Sequence, residues 1–357
     1  MTQPKQPAAR LRWHGGYLSP FVLALLFFPA CVPAIAQAVP PEPDPLSRIR
    51  AQPPAPACSV AEPTLCAEAA PKIIANAMAA SSTIEENLRQ LAGGEGGHSM
   101  GEPAPQSVVD EQRVVDWAVA AFRAAGLDVH TEAHSASMPT EGNVVAEIRG
   151  REEPNEIVVL AAIIFPSALR DHPEAATDAA VLVEAARDIA ATGLVPRRTI
   201  RFVLLFAAGL GVCSASDYVN AHRDELAHTI AVILVSQGTG HGTRYLLNGR
   251  HDIESQVREA LKPLATLALA PDSFDEAAGN CTMDFLAQGL PTLIAEPEGR
   301  NDRPSPITLD QLDFQELKRH TAIVGVTAFD IAEDVTPLGP RLSRTDAETL
   351  MRQAKSQ

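Results

Sequence analysis

The sequence predicts an α/β protein: three layers, with helices on both faces of a largely parallel central sheet. Three observations predict it. First, several short apolar, β-rich runs lie at intervals along the chain, among them Glu156–Ile164, Thr199–Phe206 and Thr229–Ser236. Second, these runs are apolar along most of their length, as strands are when a sheet is covered on both faces. Third, segments of helical spacing separate them, which is the pattern of strand–helix–strand units.

The chain has 357 residues and is 46% hydrophobic, enough for a substantial core. Its formal net charge of −15 argues against a nucleic-acid partner. Aromatics make up only 4%, so no base-stacking or sugar-stacking surface is indicated.

Met1–Ala38 reads as a secretory signal: Lys5, Arg10 and Arg12 open it, Phe21–Phe28 is the apolar centre, and Ala36-Gln37-Ala38 is a small-x-small cleavage site. The apolar run is short and broken by Pro29 and Pro33, so no membrane span is expected after cleavage. A lipid anchor through Cys31 is the alternative, and Phe28-Pro29 sits awkwardly before it. The expected location is periplasmic or secreted. Residues 39–57 (VPPEPDPLSRIRAQPPAPA) form a Pro-rich spacer with no packable face. Export permits disulfides, and Cys58 and Cys66 are close enough in sequence to be expected as a pair.

Residues 58–104 are read as an N-terminal helical segment. Within it Ala69–Leu91 shows helical spacing through Ile73, Ile74, Met78, Ile84, Leu88 and Leu91. The α/β/α domain is placed at 105–335. Ser107–Ala125 is an amphipathic helix closed by Gly126. Leu127–Glu132, Asn143–Arg149 and Glu156–Ile164 follow as strands, then Thr177–Thr192 as a helix. Thr199–Phe206 is the central strand. A Gly-rich bend comes next, and a helix from Ser214 to about Leu226. Thr229–Ser236 is a strand, Asp252–Leu264 a helix, Leu290–Ala295 a short strand and Leu312–Glu333 a long final helix. Residues 336–357 are read as a tail.

Open α/β folds place chemistry where strands end. No acidic residue lies between Phe206 and Ser216. Ser214 is read as a helix cap rather than a nucleophile, since no histidine partner presents itself. His222, His228, His251 and His320 read as surface residues.

The segments 143–162, 175–190, 196–209, 217–233, 238–250 and 285–293 resemble, in order, those of the di-zinc exopeptidases, the bacterial aminopeptidase and carboxypeptidase Q-like metallopeptidases. The resemblance covers roughly residues 80–335. It implies one three-layer α/β/α sandwich domain with a mixed, largely parallel central sheet and, in active members, two zinc ions bridged by a carboxylate, with a nearby glutamate as base. The bridging aspartate is similar to Asp178 in AATDAA. At the His-x-Asp pair after the third strand this sequence has Ile163 and Phe165. Where the family carries a Glu-Glu pair it has Ala207-Ala208-Gly209-Leu210. The next aspartate ligand corresponds to Ser236. The Asp-His of a Gly-Thr-Asp-His-x-x-Phe segment corresponds to Cys281 and Thr282, and the last histidine ligand to Arg303.

One ligand of five survives, and the base is gone. The resemblance therefore implies an exported, catalytically degenerate peptidase-like protein. Its role is binding or regulation, its partner an unidentified protein or peptide, and no cofactor is expected. The alternative is an active exopeptidase with a rearranged zinc site. Ile163 and Phe165 are expected to fill the space of the metals. Asp178 is read first as the cap of its helix, and second as a relic ligand. Cys213 and Cys281 are expected as packed thiols, with a disulfide, or a new metal site shared with His172 or His241, as alternatives.

Overall fold

The computed structural model describes residues 65–79, 82–92, 106–132, 142–169, 171–208, 212–236, 241–268, 271, 280–298 and 307–354. The expected signal, the Pro-rich spacer, Cys58 and Arg303 lie outside these residues.

Two helices open the described chain, α1 (Leu65–Met78) and α2 (Ile84–Ala92), followed by the long α3 (Gln106–Ala124). Gly126 closes α3 with φ +80°, a left-handed turn that a side chain disfavours. Then come β1 (Asp128–Glu132), β2 (Asn143–Ile148), β3 (Glu153–Ile164), α4 (Thr177–Ala190) and β4 (Arg198–Ala208). A short β5 (Val212–Cys213) leads into α5 (Ala215–Ala221), β6 (Thr229–Val235), β7 (His241–Leu246) and α6 (Glu254–Ala260). The chain ends with α7 (Asn280–Ala287), β8 (Thr292–Glu298), α8 (Phe314–Glu333) and α9 (Arg344–Ala354).

The sheet order is β1-β2-β4-β3-β6-β8-β7, with β5 paired to β4 off this path. The four central strands run parallel, and β1, β2 and β7 run antiparallel to their neighbours. The fold class is the expected one. Alternation explains the unbroken apolar runs. Val158, Leu160, Ala162 and Ile164 of β3 join Phe202, Leu204 and Phe206 of β4 in a core shared with α3, α4 and α8. Val159, Ala161, Val203 and Leu205 face the other way, against Tyr218 of α5 and Phe285 of α7. Each strand is apolar on both sides because each side has a helical layer to meet.

Four elements differ from expectation. The helix after β4 stops at Ala221, and a separate 3-10 turn covers Leu226–His228. The expected Asp252–Leu264 helix holds as α-helix only to Ala260, and a 3-10 turn takes over at Lys262–Leu264, where Pro263 removes a backbone donor. β7 and α9 were not anticipated. α9 packs Ala347 and Leu350 with Leu342 against Leu286 of α7. The expected bridge to Cys58 falls outside the described residues; Cys66 itself is buried on α1. It lies against Asp330 of α8 and hydrogen-bonds to its carboxyl, because α1 packs its Cys66, Ala69, Ala70 and Ile73 side inward. Among the described residues, no helix is long and apolar enough to cross a membrane.

Candidate functional site

The described positions singled out from the sequence gather at one edge of the sheet, where the parallel strands end. In the last ladder steps of β3 and β4, Ile163 pairs with Leu205 and Ile164 with Phe206. Ser236 follows β6, and its amide donates to the Ala295 carbonyl of β8 at 2.9 Å.

Ile163 is partly buried against the cluster that holds Cys213, Cys281 and Phe285. Phe165 does not fill the expected cavity; it is 38% exposed. By alternation it would share the face of Ile163, but β3 ends at Ile164. The chain turns at Phe165 into a 3-10 turn over Pro166–Ala168.

Asp178 is not the cap of its helix. Ala176 holds that position without a side-chain bond, and Asp178 is the second residue of α4. Its carboxylate lies in the first turn, where it favours the helix dipole, and Thr177 Oγ1 donates to its Oδ1 at 3.5 Å. His172, between β3 and α4, pairs with Glu174 at 3.2 Å.

At the end of β4 the chain reads Ala207-Ala208 and folds back as β5, with Ala207 opposite Cys213 and Ala208 opposite Val212. Ser214 closes this hairpin. Its amide donates to the Phe206 carbonyl at 2.9 Å, and its Oγ accepts from the Phe206 amide at 2.8 Å. The same hydroxyl donates to Asn143 Oδ1 on β2. Ser214 is fully buried. It precedes α5, but its side chain makes no cap bond; it ties the hairpin to β4 and β2 instead.

Cys213 and Cys281 form a disulfide, with Cα atoms 5.6 Å apart and a separation of 68 positions in sequence. The packed-thiol expectation is thereby corrected, and so is a shared metal site with His172 or His241, since a bridged sulfur offers no thiolate. β5 brings Cys213 to the end of β4, and the first turn of α7 brings Cys281 there. Thr282 beside it is 2% exposed. The bond therefore ties one of the positions where the resemblance places a site residue, Cys281, to the hairpin that follows β4.

This donor set does not fit a pair of zinc ions. Ile163 and Phe165 are hydrocarbon, Ala207 and Ala208 carry no donor, Ser236 offers a hydroxyl, and Cys281 is oxidised. One carboxylate, Asp178, is left where several nitrogen or oxygen ligands are needed.

The sequence reading missed one group. His241, at the start of β7, lies with Asp313 and Glu316 at the start of α8, their ligand atoms within 4.8 Å of one another. It is the only group of this kind among the described residues. His241 pairs with Glu298 of β8 in the ladder, so the group shares the strand-end edge with the positions above. Its carboxylates already have work. Asp313 caps α8, accepting from the Gln315 and Glu316 amides at 2.9 and 3.1 Å. Glu316 accepts from the Gly242 amide at 3.3 Å and pairs with Arg319. An aspartate just before a helix reads as a cap, and its proximity to His241 depends on a strand that the sequence did not reveal.

His222 and His320 are not surface residues. His222 is 14% exposed between Glu132 at 2.7 Å and Glu225 at 3.0 Å. Burial works against its protonation, but the bonds to Glu132 and Glu225 outweigh it and raise its pKa. His320 is 1% exposed, and burial pushes its pKa down to about 3.

A family model described as Peptidase family M28 matches residues 143–321. The chain belongs to peptidase family M28. This M28 chain is 28% identical over 153 residues to carboxypeptidase Q of Rattus norvegicus, which is 42% of the chain and 32% of that protein. It thus aligns with about a third of the curated relative's length. Among solved structures it is similar to the Legionella pneumophila LapA aminopeptidase, with a TM-score of 0.57, 13% identity and coverage of 80% of this chain and 79% of that one. It is also similar to a peptidase M28 precursor from Shewanella amazonensis SB2B, with a TM-score of 0.50, 24% identity and coverage of 56% and 47%. At these identities the two structures bear on the fold alone. The M28 match spans β2 to the first half of α8, and so includes every strand of the sheet but β1.

Proposed function

We propose that this M28 chain is an exported pseudopeptidase that binds a protein or peptide and does not hydrolyse it. The observation that carries the reading is the donor set at the strand ends. Ile163, Phe165, Ala207, Ala208, Ser236 and Cys281, the last locked in a disulfide with Cys213, stand where the di-zinc resemblance places site residues. The disulfide also supports export, because such bonds persist in oxidising compartments. The signal-like Met1–Ala38 points the same way.

The second reading is an active zinc exopeptidase with a rearranged site. It draws on His241, Asp313 and Glu316 alone. One experiment separates the two. The mature protein is supplemented with Zn²⁺, its bound metal is measured, and it is assayed on amino-acid–chromophore and dipeptide substrates. The expected result is no stoichiometric pair of ions and no turnover, with Ile163→His restoring none. Turnover that a chelator abolishes, and that His241→Ala or Glu316→Ala removes, establishes the active reading instead.

A further inference from the structure

At the opposite edge of the sheet, the start of α1, α6 and the end of α8 enclose a cavity of about 200 Å³. Arg198 marks which edge this is. It begins β4, and its guanidinium donates to the carbonyls of Asp334 and Val335, just past α8. The strand-end site and this cavity therefore lie a strand length apart, about 30 Å.

Apolar atoms of Ala67, Pro263, Ile331 and Leu338 line the cavity. Its polar lining is unbalanced. Asp330 is 5% exposed, and its Oδ1 has no hydrogen-bond partner. The Cys66 thiol donates to the same carboxyl. Asp334 also lines the cavity, one carboxylate oxygen accepting from the Thr336 amide at 2.9 Å. Glu259 and Lys262 pair with each other at the rim, so their charges offset. Gln256 spends its amide N–H on the Pro337 carbonyl at 3.2 Å, which holds the 336–340 segment over α6. Glu333, next along α8, is engaged by Arg151 and by the Arg197 amide. The interior thus presents carboxylate acceptors, with Asp330 Oδ1 buried and without a hydrogen-bond partner, and the one cation in its described lining, Lys262, is paired with Glu259 at the rim. A buried acceptor of this kind is costly to leave unmet.

We propose that this cavity binds the ammonium group of a small aliphatic amine, with the Asp330 carboxylate as its counter-ion and the apolar wall around its alkyl chain. The volume suits such a ligand, since apolar protein cavities of about 150 Å³ take up benzene. An ammonium supplies what Oδ1 lacks, a charged donor. A carboxylate ligand would meet like charge, and a neutral alcohol would leave Asp330 without a counter-ion. Burial holds the free Asp330 carboxyl up at about 7, with Asp334 and Glu333 adding to the effect and the Cys66 bond opposing it. Amine binding should therefore strengthen as that carboxyl ionises.

The test is titration calorimetry on the whole chain with pentylamine, pentanol and pentanoate at about pH 8 and about pH 6. Saturable 1:1 binding of pentylamine is expected, weaker by up to about tenfold at the lower pH. Pentanoate should give none, and pentanol should bind more weakly than the amine. Asp330→Asn removes a buried charge and should leave the fold intact; it should weaken the amine about tenfold or more. Ala260→Phe, which fills the cavity, should abolish binding while Asp330 remains. Absence of saturable amine binding, equal binding of pentanol, or unchanged affinity in Asp330→Asn overturns the proposal.

Discussion

Asp188 lies on α4 with 0% exposure, and burial beside Glu184 pushes its carboxyl up to about 7. Arg187 reaches both acids, Glu184 at 2.6 Å and Asp188 at 3.0 Å. Glu184 also accepts from the amide and hydroxyl of Thr83 at 2.8 and 2.6 Å, and these bonds with that from Arg187 outweigh burial and hold its carboxyl below the usual range. A raised carboxyl pKa favours folding below the unfolded value near 3.8, and that advantage fades as pH rises towards about 7. Asp188→Asn should flatten this fall, which urea melts across that range will show. His320 works in the opposite sense. Its Nδ1 bonds Thr243 Oγ1 at 2.7 Å and its Nε2 has no partner, so the ring stays neutral in the fold. Its stabilising effect is present above about 6.5 and is lost as pH falls towards about 3. His320→Gln should soften the acid limb of the same melts. Ile163→Ala should cost about 1–2 kcal/mol, less than a fully enclosed isoleucine, because Ile163 is partly open. Asp178→Ala should cost about 0.3–1 kcal/mol, the value of a first-turn acid rather than a cap. The sequence identified both residues and missed their settings. Where a strand stops, and which residue precedes a helix, depend on backbone geometry that alternation and capping preferences fix only to within a residue or two.

At the scale of elements, α9 and the disulfide both act on α7. Gly289 ends the turn after α7 with φ +75°, and a Cβ there would come within 2.2 Å of the Leu342 carbonyl oxygen. The Leu342 amide donates back to the Gly289 carbonyl at 2.8 Å. α9 is thus stitched to α7 by backbone contact as well as by Leu286, Ala347 and Leu350. Leu350→Ala should lower stability by about 2–4 kcal/mol in a denaturant melt. Replacing Cys213 and Cys281 together with serine should cost about 2–4 kcal/mol, the usual effect of losing a long-loop bridge. The strands β3, β4, β6 and β8 were legible because uniform apolarity marks a covered strand. β7 was not, since HGTRYL is polar over its first four residues, carries a glycine at its second position and lies at the sheet border with one neighbour. α9 reads as solvated chain because RTDAETLMRQA buries so few residues. The Cys213–Cys281 pair was left open because only the fold brings residues 68 apart together.

Across the whole molecule, the layer order was legible in the sequence, and the residue types at the strand ends are what the pseudopeptidase proposal rests on. Both depend on positions that the strand–helix pattern places. The sequence could not place the Asp330 cavity, which needs α1, α6 and α8 in one spot. The disulfide has a further, mechanical consequence. A chain pulled from its ends unravels only outside the Cys213–Cys281 link, which withholds about 230 Å of extended chain. The withheld part contains α5, β6, β7 and α6, including β6 at the middle of the parallel ladder. Under tension, β1 to β4 on one side and β8 to α9 on the other can be stripped away while this segment stays a closed ring. Single-molecule stretching should therefore show a contour longer by that length once a reductant is added.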